Sequence, residues 1–418
     1  MIRKEHVLKP INKEYKSNLN ALQVAEEKAL LKHANHALFP TIPSEKPINL
    51  ESRRYIGSKA KLTNWILNII KQETNNSKTF LDIFEGTACV AKAAFNDYET
   101  IMVNDTLLSN NFIYKAFFQS GQWNKEKLEM ILYCYNQVDP SEIQENYFSE
   151  NFGNKFFEYK ISKLIGWIRQ DIEDRKNELT DKEYSILLTT LIYNIDKVAN
   201  TVGHYDAYIK KPSRSQSLKL RLIEPIDFSG IKIYQQNANE LARKIKADIA
   251  YIDPPYNSRQ YSRFYHIYET LVKWDKPKLY GVALKPVADN MSVYCTVGAK
   301  NTKNIQWENT DYKKHIEKID LKKTDFVYLD PPYLITFSEY NKCWNEKKEK
   351  ELITTLDKLN KQNIRFAVSN VTHYKGKVNP IFNKWASNYN IKDVASNYIS
   401  YHDNSIKNFR EVLVTNYE

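Results

Sequence analysis

The tetrapeptide Asp-Pro-Pro-Tyr occurs twice, at 253–256 and 330–333, each time behind a short apolar run, "DIAYI" (248–252) and "DFVYL" (325–329). Adjacent prolines fix φ and donate no N–H. At the carboxyl end of a parallel strand, Pro254-Pro255 or Pro331-Pro332 makes a rigid turn where open α/β sheets hold ligands. The carboxylate of Asp253 or Asp330 and the carbonyl of the first proline are then two fixed acceptors. An exocyclic amine such as adenine N6 offers two N–H donors to match. Accepting both draws the nitrogen lone pair away from the ring and makes the nitrogen a nucleophile. The ring of Tyr256 or Tyr333 supplies a stacking face. A chance Asp-Pro-Pro-Tyr in a chain of this length has a probability of roughly 0.002. A plain strand-end turn is the alternative for one copy; two copies in one setting favour chemistry.

These turns need a parallel sheet to position them, and the pattern supplies one. "RRYIGSKAKLTNWILNII" (53–70) is a Gly-containing loop feeding an apolar helix. "KTFLDIFEGTACVAKAAF" (78–95) reads as buried strand, tight turn at Gly86, and small-residue helix; "TIMVNDTLL" (100–108) begins a second strand. Strand, helix, strand predicts a βαβ unit. Phe157, Ile161, Leu164, Ile168 and Ile172 repeat at helical spacing within a mostly helical 109–200. Thr180 and Glu183 form a capping box before another helix. Strands are predicted at 231–235, 248–252, 364–370 and 410–417. Helices are predicted at 20–38, 263–274 and 346–362. The stretch 281–312 reads as loop-rich.

Of the 418 residues, 42% are hydrophobic and 27% charged, a globular balance. No apolar run of about 18 residues exists, so no membrane span is expected. The opening "MIRKEHVLKPINKEY" lacks a signal-peptide core, and a cytoplasmic location is expected. Cys89, Cys134, Cys295 and Cys343 are far apart, which argues against a disulfide framework or zinc site. His33 and His36 read as a solvated helix face, so no metal is expected. The net charge of +11 suits a nucleic-acid partner. It carries modest weight, because a Lys-, Asn-, Ile- and Tyr-rich, Gly-poor composition resembles that of an AT-rich genome.

Taken together, "RYIGSKAKL", "FLDIFEGTACVAKAAF", "VNDTLL" and "DPPYNSRQYSRFYHIYETL" resemble the Dam-like or D12 class of adenine-specific DNA N6-methyltransferases over roughly 51–418. The resemblance implies a Rossmann-like fold, a twisted, mostly parallel sheet with a helical recognition insertion. It implies S-adenosylmethionine as cofactor and a flipped adenine in double-stranded DNA as substrate. The segments follow as an N-terminal helical arm (1–50), a cofactor-binding part (51–108), a helical target-recognition region (109–230), a first catalytic-loop segment (231–300), and a second with the closing strands (301–418). Tyr55, Gly57 and Lys59 should line the cofactor pocket. Asp82, Phe84 and Gly86 should pack its methionine part, Asp105 its hydroxyls, and Asn237 should lie near its adenine. Asp253 should adjoin it. Lys210, Lys211, Arg214, Lys219 and Arg221 in a stretch without acids, with Arg259 and Arg263 beside the loop, are candidate DNA contacts; an exposed basic loop is the alternative. A monomer is expected, partnered in the cell by a separately acting cognate restriction endonuclease.

Two departures stand out. The family's Gly-Thr-Gly is here Gly86-Thr87-Ala88, whose added methyl would crowd the cofactor, and Asn237 stands where an acid is usual. The larger departure is the doubling itself: one glycine turn, two catalytic loops and one set of closing strands, as in a fusion that lost its middle. Asp253 is the expected catalytic residue because it shares a unit with the cofactor motif. Asp330 is the alternative, being followed directly by the closing strands, and a hybrid sheet of low activity is a third. Methylation of RNA or another planar amine, or an inactive DNA-binding relic, remain as other readings.

Overall fold

The computed structural model describes residues 48–55, 58–60, 62–74, 76–210, 217–253, 261–286, 326–336, 344–394 and 409–417. The predicted helix 20–38 lies outside them. The chain divides into two compact units, one formed from the segments 57–111, 228–264 and 288–418, the other from 1–56, 112–227 and 265–287.

The first unit carries a sheet of nine strands among the described residues. In chain order the strands of the molecule are β1 (Thr79–Asp82), β2 (Thr100–Asn104), β3 (Ile231–Tyr234), β4 (Ile249–Ile252), β5 (Leu279–Tyr280), β6 (Lys285–Pro286), β7 (Phe326–Leu329), β8 (Arg365–Tyr374), β9 (Lys377–Val378), β10 (Asn390–Asp393) and β11 (Arg410–Thr415). The order across the sheet is β10-β11-β8-β7-β4-β1-β2-β3, with β9 on the end of β8. From β3 to β8 every neighbour is parallel; β11 and β10 close the sheet antiparallel. The sheet is therefore Rossmann-like and mostly parallel.

Its central strands are apolar throughout because both faces are covered. Every residue of β4 and β7 is buried. On one face Leu81, Ile252, Leu329 and Val368 pack with Leu352 and Leu356 of the helix Glu346–Lys361 and Phe382 of the helix Pro380–Ala386. The edge strand β10 is exposed along its length, and its Lys392 and Asp393 discourage pairing with another chain.

The second unit is helical. Its helices include Lys125–Gln137, Tyr147–Phe152, Tyr159–Asp174 and Asp181–Val198. The last begins at the expected box: Thr180 accepts from the Glu183 amide at 3.1 Å, and Glu183 accepts from the Thr180 amide at 3.0 Å. Residues 48–55 and 265–286 also belong to this unit. The second of these stretches holds a hairpin, β5–β6, closed by the Leu284 amide on the Gly281 carbonyl at 3.2 Å. Residues 281–286, expected as loop, are thus the turn and second strand of a hairpin. Four of these six residues are turn, in keeping with a loop-rich stretch, and a two-residue strand carries no periodicity to mark it.

Candidate active site

The chemistry-bearing side chains of the sheet unit gather at the carboxyl ends of β1, β2, β4 and β7. After β1 the chain turns tightly: Gly86 has φ 56° and Ala88, which caps the helix Cys89–Ala94, has φ 65°. Ala88 thus sits in the left-handed region, where a Cβ costs about 1–2 kcal/mol. Its penalty lies in its own backbone, separate from the crowding expected of its methyl. Asp82 is almost wholly buried and accepts from the Phe84 amide at 3.1 Å. Beside it stands Glu85, also buried, which faces the Asp82 carboxyl and the Ala91 amide. Two neighbouring buried acids can bond to each other only when one keeps its proton. Burial drives both that way. It lifts Asp82 to about 8, helped by the charges of Asp253 and Asp105 against its hydrogen bonds, and raises Glu85 together with the charge of Asp82. Glu85 escaped the sequence reading; its signal is an acid between Phe84 and Gly86 in an otherwise apolar strand-turn.

Asp105 follows β2. Its carboxylate accepts from the amides of Gly86 at 3.2 Å and Leu107 at 2.8 Å, and from the Asn110 side chain at 2.7 Å. These bonds fasten the glycine turn to the end of β2. Asn104, unassigned in the sequence, ties three strand ends together. Its amide donates to the carbonyls of Ile83 and Gln236, both at 3.1 Å, and its oxygen accepts from the Gln236 amide at 3.0 Å. This places Asn237 at the start of the helix Ala238–Ala242, half-buried, its carbonyl accepting from Glu240 and Leu241.

The two Asp-Pro-Pro-Tyr copies stand side by side. β4 and β7 are adjacent, parallel and in register, Tyr251 opposite Tyr328 and Ile252 opposite Leu329. The Tyr251 and Tyr328 rings stack at 5.4 Å between centroids. Two residues on, Asp253 and Asp330 share one cation: the Lys59 ammonium is ion-paired with Asp330 and lies 3.3 Å from Asp253. Lys59 is set by the turn before the helix Thr63–Glu73. Its carbonyl accepts from the Leu62 amide at 2.7 Å, and its own amide faces the buried Cys89 sulfur.

Environment separates the two aspartates. Asp330 is buried; its Oδ1 accepts from the Ser369 hydroxyl at 2.7 Å and the Tyr333 hydroxyl at 2.8 Å. Tyr333 also lies 2.9 Å from Glu411 Oε1, and Pro331 and Pro332 are buried. Burial raises Asp330, but Lys59, Ser369 and Tyr333 outweigh it and hold the carboxyl below its ordinary value. For Asp253 burial wins: with the Asp330 charge it overcomes Lys59 and pushes the group up to about 6. Pro254, Pro255, Tyr256 and Arg259 lie outside the described residues, as do Gly57, Lys211 and Arg214.

In the helical unit, Tyr55 packs against protein. Tyr265 stacks on it at 4.7 Å with 1° between planes, and the Arg53 guanidinium lies 4.7 Å from the ring centre. Lys219 and Arg221 lie on a segment fastened to helices by two side-chain amides: Asn136 pairs with the backbone of Leu220 (2.7 and 2.9 Å), and Asn194 with that of Arg221 (3.3 and 2.9 Å). Leu218 and Leu220 point inward while Lys219 is exposed and Arg221 partly so. Lys210 is exposed after Ile209, whose backbone is held by Asn200. Arg263, in the first turn of the helix Tyr261–Lys273, is half-buried.

The fold sets the candidate site residues along the carboxyl edge of a parallel sheet beside a glycine turn. The sequence model of the D12 class N6 adenine-specific DNA methyltransferases matches residues 55–297 and again 294–399. The chain belongs to that family. It is 31% identical over 264 residues to the modification methylase LlaI of Lactococcus lactis subsp. lactis, covering 58% of this chain and 42% of that protein. It is 32% identical over 262 residues to the type II methyltransferase M.FokI of Planomicrobium okeanokoites, covering 58% and 40%. With the type II methyltransferase M.NlaIII of Neisseria lactamica it shares 33% over 240 residues, covering 53% and 69%. The chain thus spans about two fifths of the first two relatives' length and about two thirds of the third. No helix among the described residues is long and apolar enough to cross a membrane.

Proposed function

We propose that the chain transfers the methyl group of S-adenosylmethionine to N6 of an adenine in double-stranded DNA, as the modification enzyme that shields host DNA from a cognate endonuclease. The single observation that carries this reading is the placement of Asp253. It stands at the end of β4, next to β1, with the glycine turn on the adjacent strand.

The residues present fit the cofactor. Asp82 and Glu85 form a buried acidic pair bonded to each other, with the Ala91 amide also facing Glu85. That is a setting for a ligand with positive charge. Gly86 lets the backbone approach closely, and the Asp105 carboxylate at the end of β2 would accept from the cofactor hydroxyls. When bound, S-adenosylmethionine supplies a methyl group already activated as a sulfonium. The chain's own work is acceptance and exclusion. Asp253 and the Pro254 carbonyl take the two N6 protons and expose the lone pair. Tyr256 stacks the flipped base. Lys219, Arg221, Lys210 and Arg263, with Lys211, Arg214 and Arg259, answer phosphates.

Incubating DNA from a methylase-deficient host with labelled S-adenosylmethionine and mapping the modified bases tests the reading. N6-methyladenine at a fixed site is expected. Label on cytosine, preference for competing RNA, or no transfer sinks it.

A further inference from the structure

We infer that Asp330, the aspartate of the second Asp-Pro-Pro-Tyr, serves as the counter-ion that holds Lys59 back from Asp253, a positioning residue and not a second amine acceptor. The inference rests on the reading of Asp253 as the acceptor of the adenine amine. An acceptor must offer lone pairs. The Oδ1 of Asp330 already takes two hydroxyl donors, from Ser369 and Tyr333, and its Oδ2 takes the Lys59 ammonium. An ionised carboxylate oxygen accepts about two hydrogen bonds, and the group is buried. Its aromatic partner is committed as well, since the Tyr333 hydroxyl reaches both Asp330 and Glu411. A tyrosine fixed by its hydroxyl to two acids is poorly placed to swing over a base.

Asp253 presents the opposite picture. Its contact with Lys59 is 3.3 Å, long for a charge-assisted hydrogen bond. Among the described residues Lys59 is its one ion-pair partner. The groups facing it are Lys59 from the turn after residue 57, Asp82 from β1, Tyr251 from its own strand, and Tyr328 and Asp330 from β7. One ammonium thus answers two carboxylates and sits closer to the second. Removing the Asp330 charge frees Lys59 to close fully on Asp253, where it competes with the incoming amine.

Asp330→Asn, nearly isosteric, tests this in the full chain. We expect kcat on DNA to fall about tenfold, the worth of one charge-assisted hydrogen bond, with KM for S-adenosylmethionine within twofold. The acid limb of kcat should move down by about one pH unit, because a raising charge is gone and a lowering one is nearer. Carboxyl-carbon NMR of labelled aspartate follows the Asp253 titration without turnover and should show the same downward move. An Asp330→Asn enzyme with no activity beside an active Asp253→Asn enzyme overturns the inference and leaves methyl transfer standing. An unmoved Asp253 titration also overturns it. A wild-type chain that methylates nothing overturns the functional reading instead, while the NMR titration still judges the Lys59 arrangement.

Discussion

The two Asp-Pro-Pro-Tyr turns share four letters, strand type and register, yet their surroundings have driven them apart. The first follows the strand beside β1, and among the described residues Lys59 is the one ion-pair partner of its carboxylate. The second lies one strand further from the glycine turn, with every hydrogen-bonding oxygen of its aspartate engaged. A motif of this kind specifies a turn and two acceptors. Whether the acceptors are open depends on side chains from β8, β11 and the Lys59 turn, far off in sequence.

The largest expected effect breaks the comparison if it is wrong. Asp253→Ala should lower kcat about a thousandfold, the scale of losing a transition-state contact, with the circular dichroism spectrum unchanged. Asp330→Ala should retain measurable transfer in the same assay. If the two variants exchange roles, the assignment of the first turn fails.

Lys59→Gln acts on both turns together. It leaves two acids facing each other with no cation between them. Chemical denaturation should show a loss of about 2 kcal/mol, between the values for exposed and fully buried pairs. Asp253 should rise above its wild-type value of about 6, so the acid limb of any residual activity should move to higher pH.

A smaller effect separates the turns by titration. Asp82 at about 8 and Asp253 at about 6 bind their protons more tightly folded than unfolded. Their contribution to stability therefore grows as pH falls from about 8 towards the unfolded carboxylate range near 4. Asp330, held below its ordinary value, does the reverse: its contribution is present above that range and is lost in stronger acid. The melting temperature of the unliganded chain should be higher at pH 6 than at pH 8.5. The Asp253→Asn variant should show a smaller rise, and so should Asp330→Asn, in which the Asp253 titration moves down.

The smallest effect concerns the glycine turn that the second copy lacks. Ala88→Gly should raise stability by about 1 kcal/mol in a denaturant titration, as relief of the left-handed backbone exceeds the entropy glycine adds to the unfolded chain. An unchanged or lower midpoint would mean that the buried methyl's packing outweighs the strain.

Much of this was legible in the residues. Apolar runs marked β1, β4 and β7, Gly86 marked the turn, and Thr180 with Glu183 marked a helix start. These are local signals, carried by a few neighbouring side chains. The pairing of β4 with β7 was not legible, because residues about 77 apart in sequence meet only through the sheet. Asn104 escaped notice for the same reason: its partners, Ile83 and Gln236, lie on other strands. Ser369 and Glu411, which close the second turn, read only as parts of strands. The helix Pro380–Ala386 and β10 fell in a stretch without clear pattern, being short and, for β10, exposed on every residue.

The register carries a geometric consequence. Ile252, Leu329 and Val368 lie in one row across β4, β7 and β8, so Asp253, Asp330 and Ser369 occupy the next row in succession. Were β7 excised and β8 moved over to meet β4, the serine hydroxyl would arrive where the second aspartate now stands. The intervening strand therefore displaces that hydroxyl laterally by one interstrand spacing, about 4.8 Å, and seats an anion in the gap. The second copy of the motif thus widens the edge and changes the polarity of what the first turn has beside it.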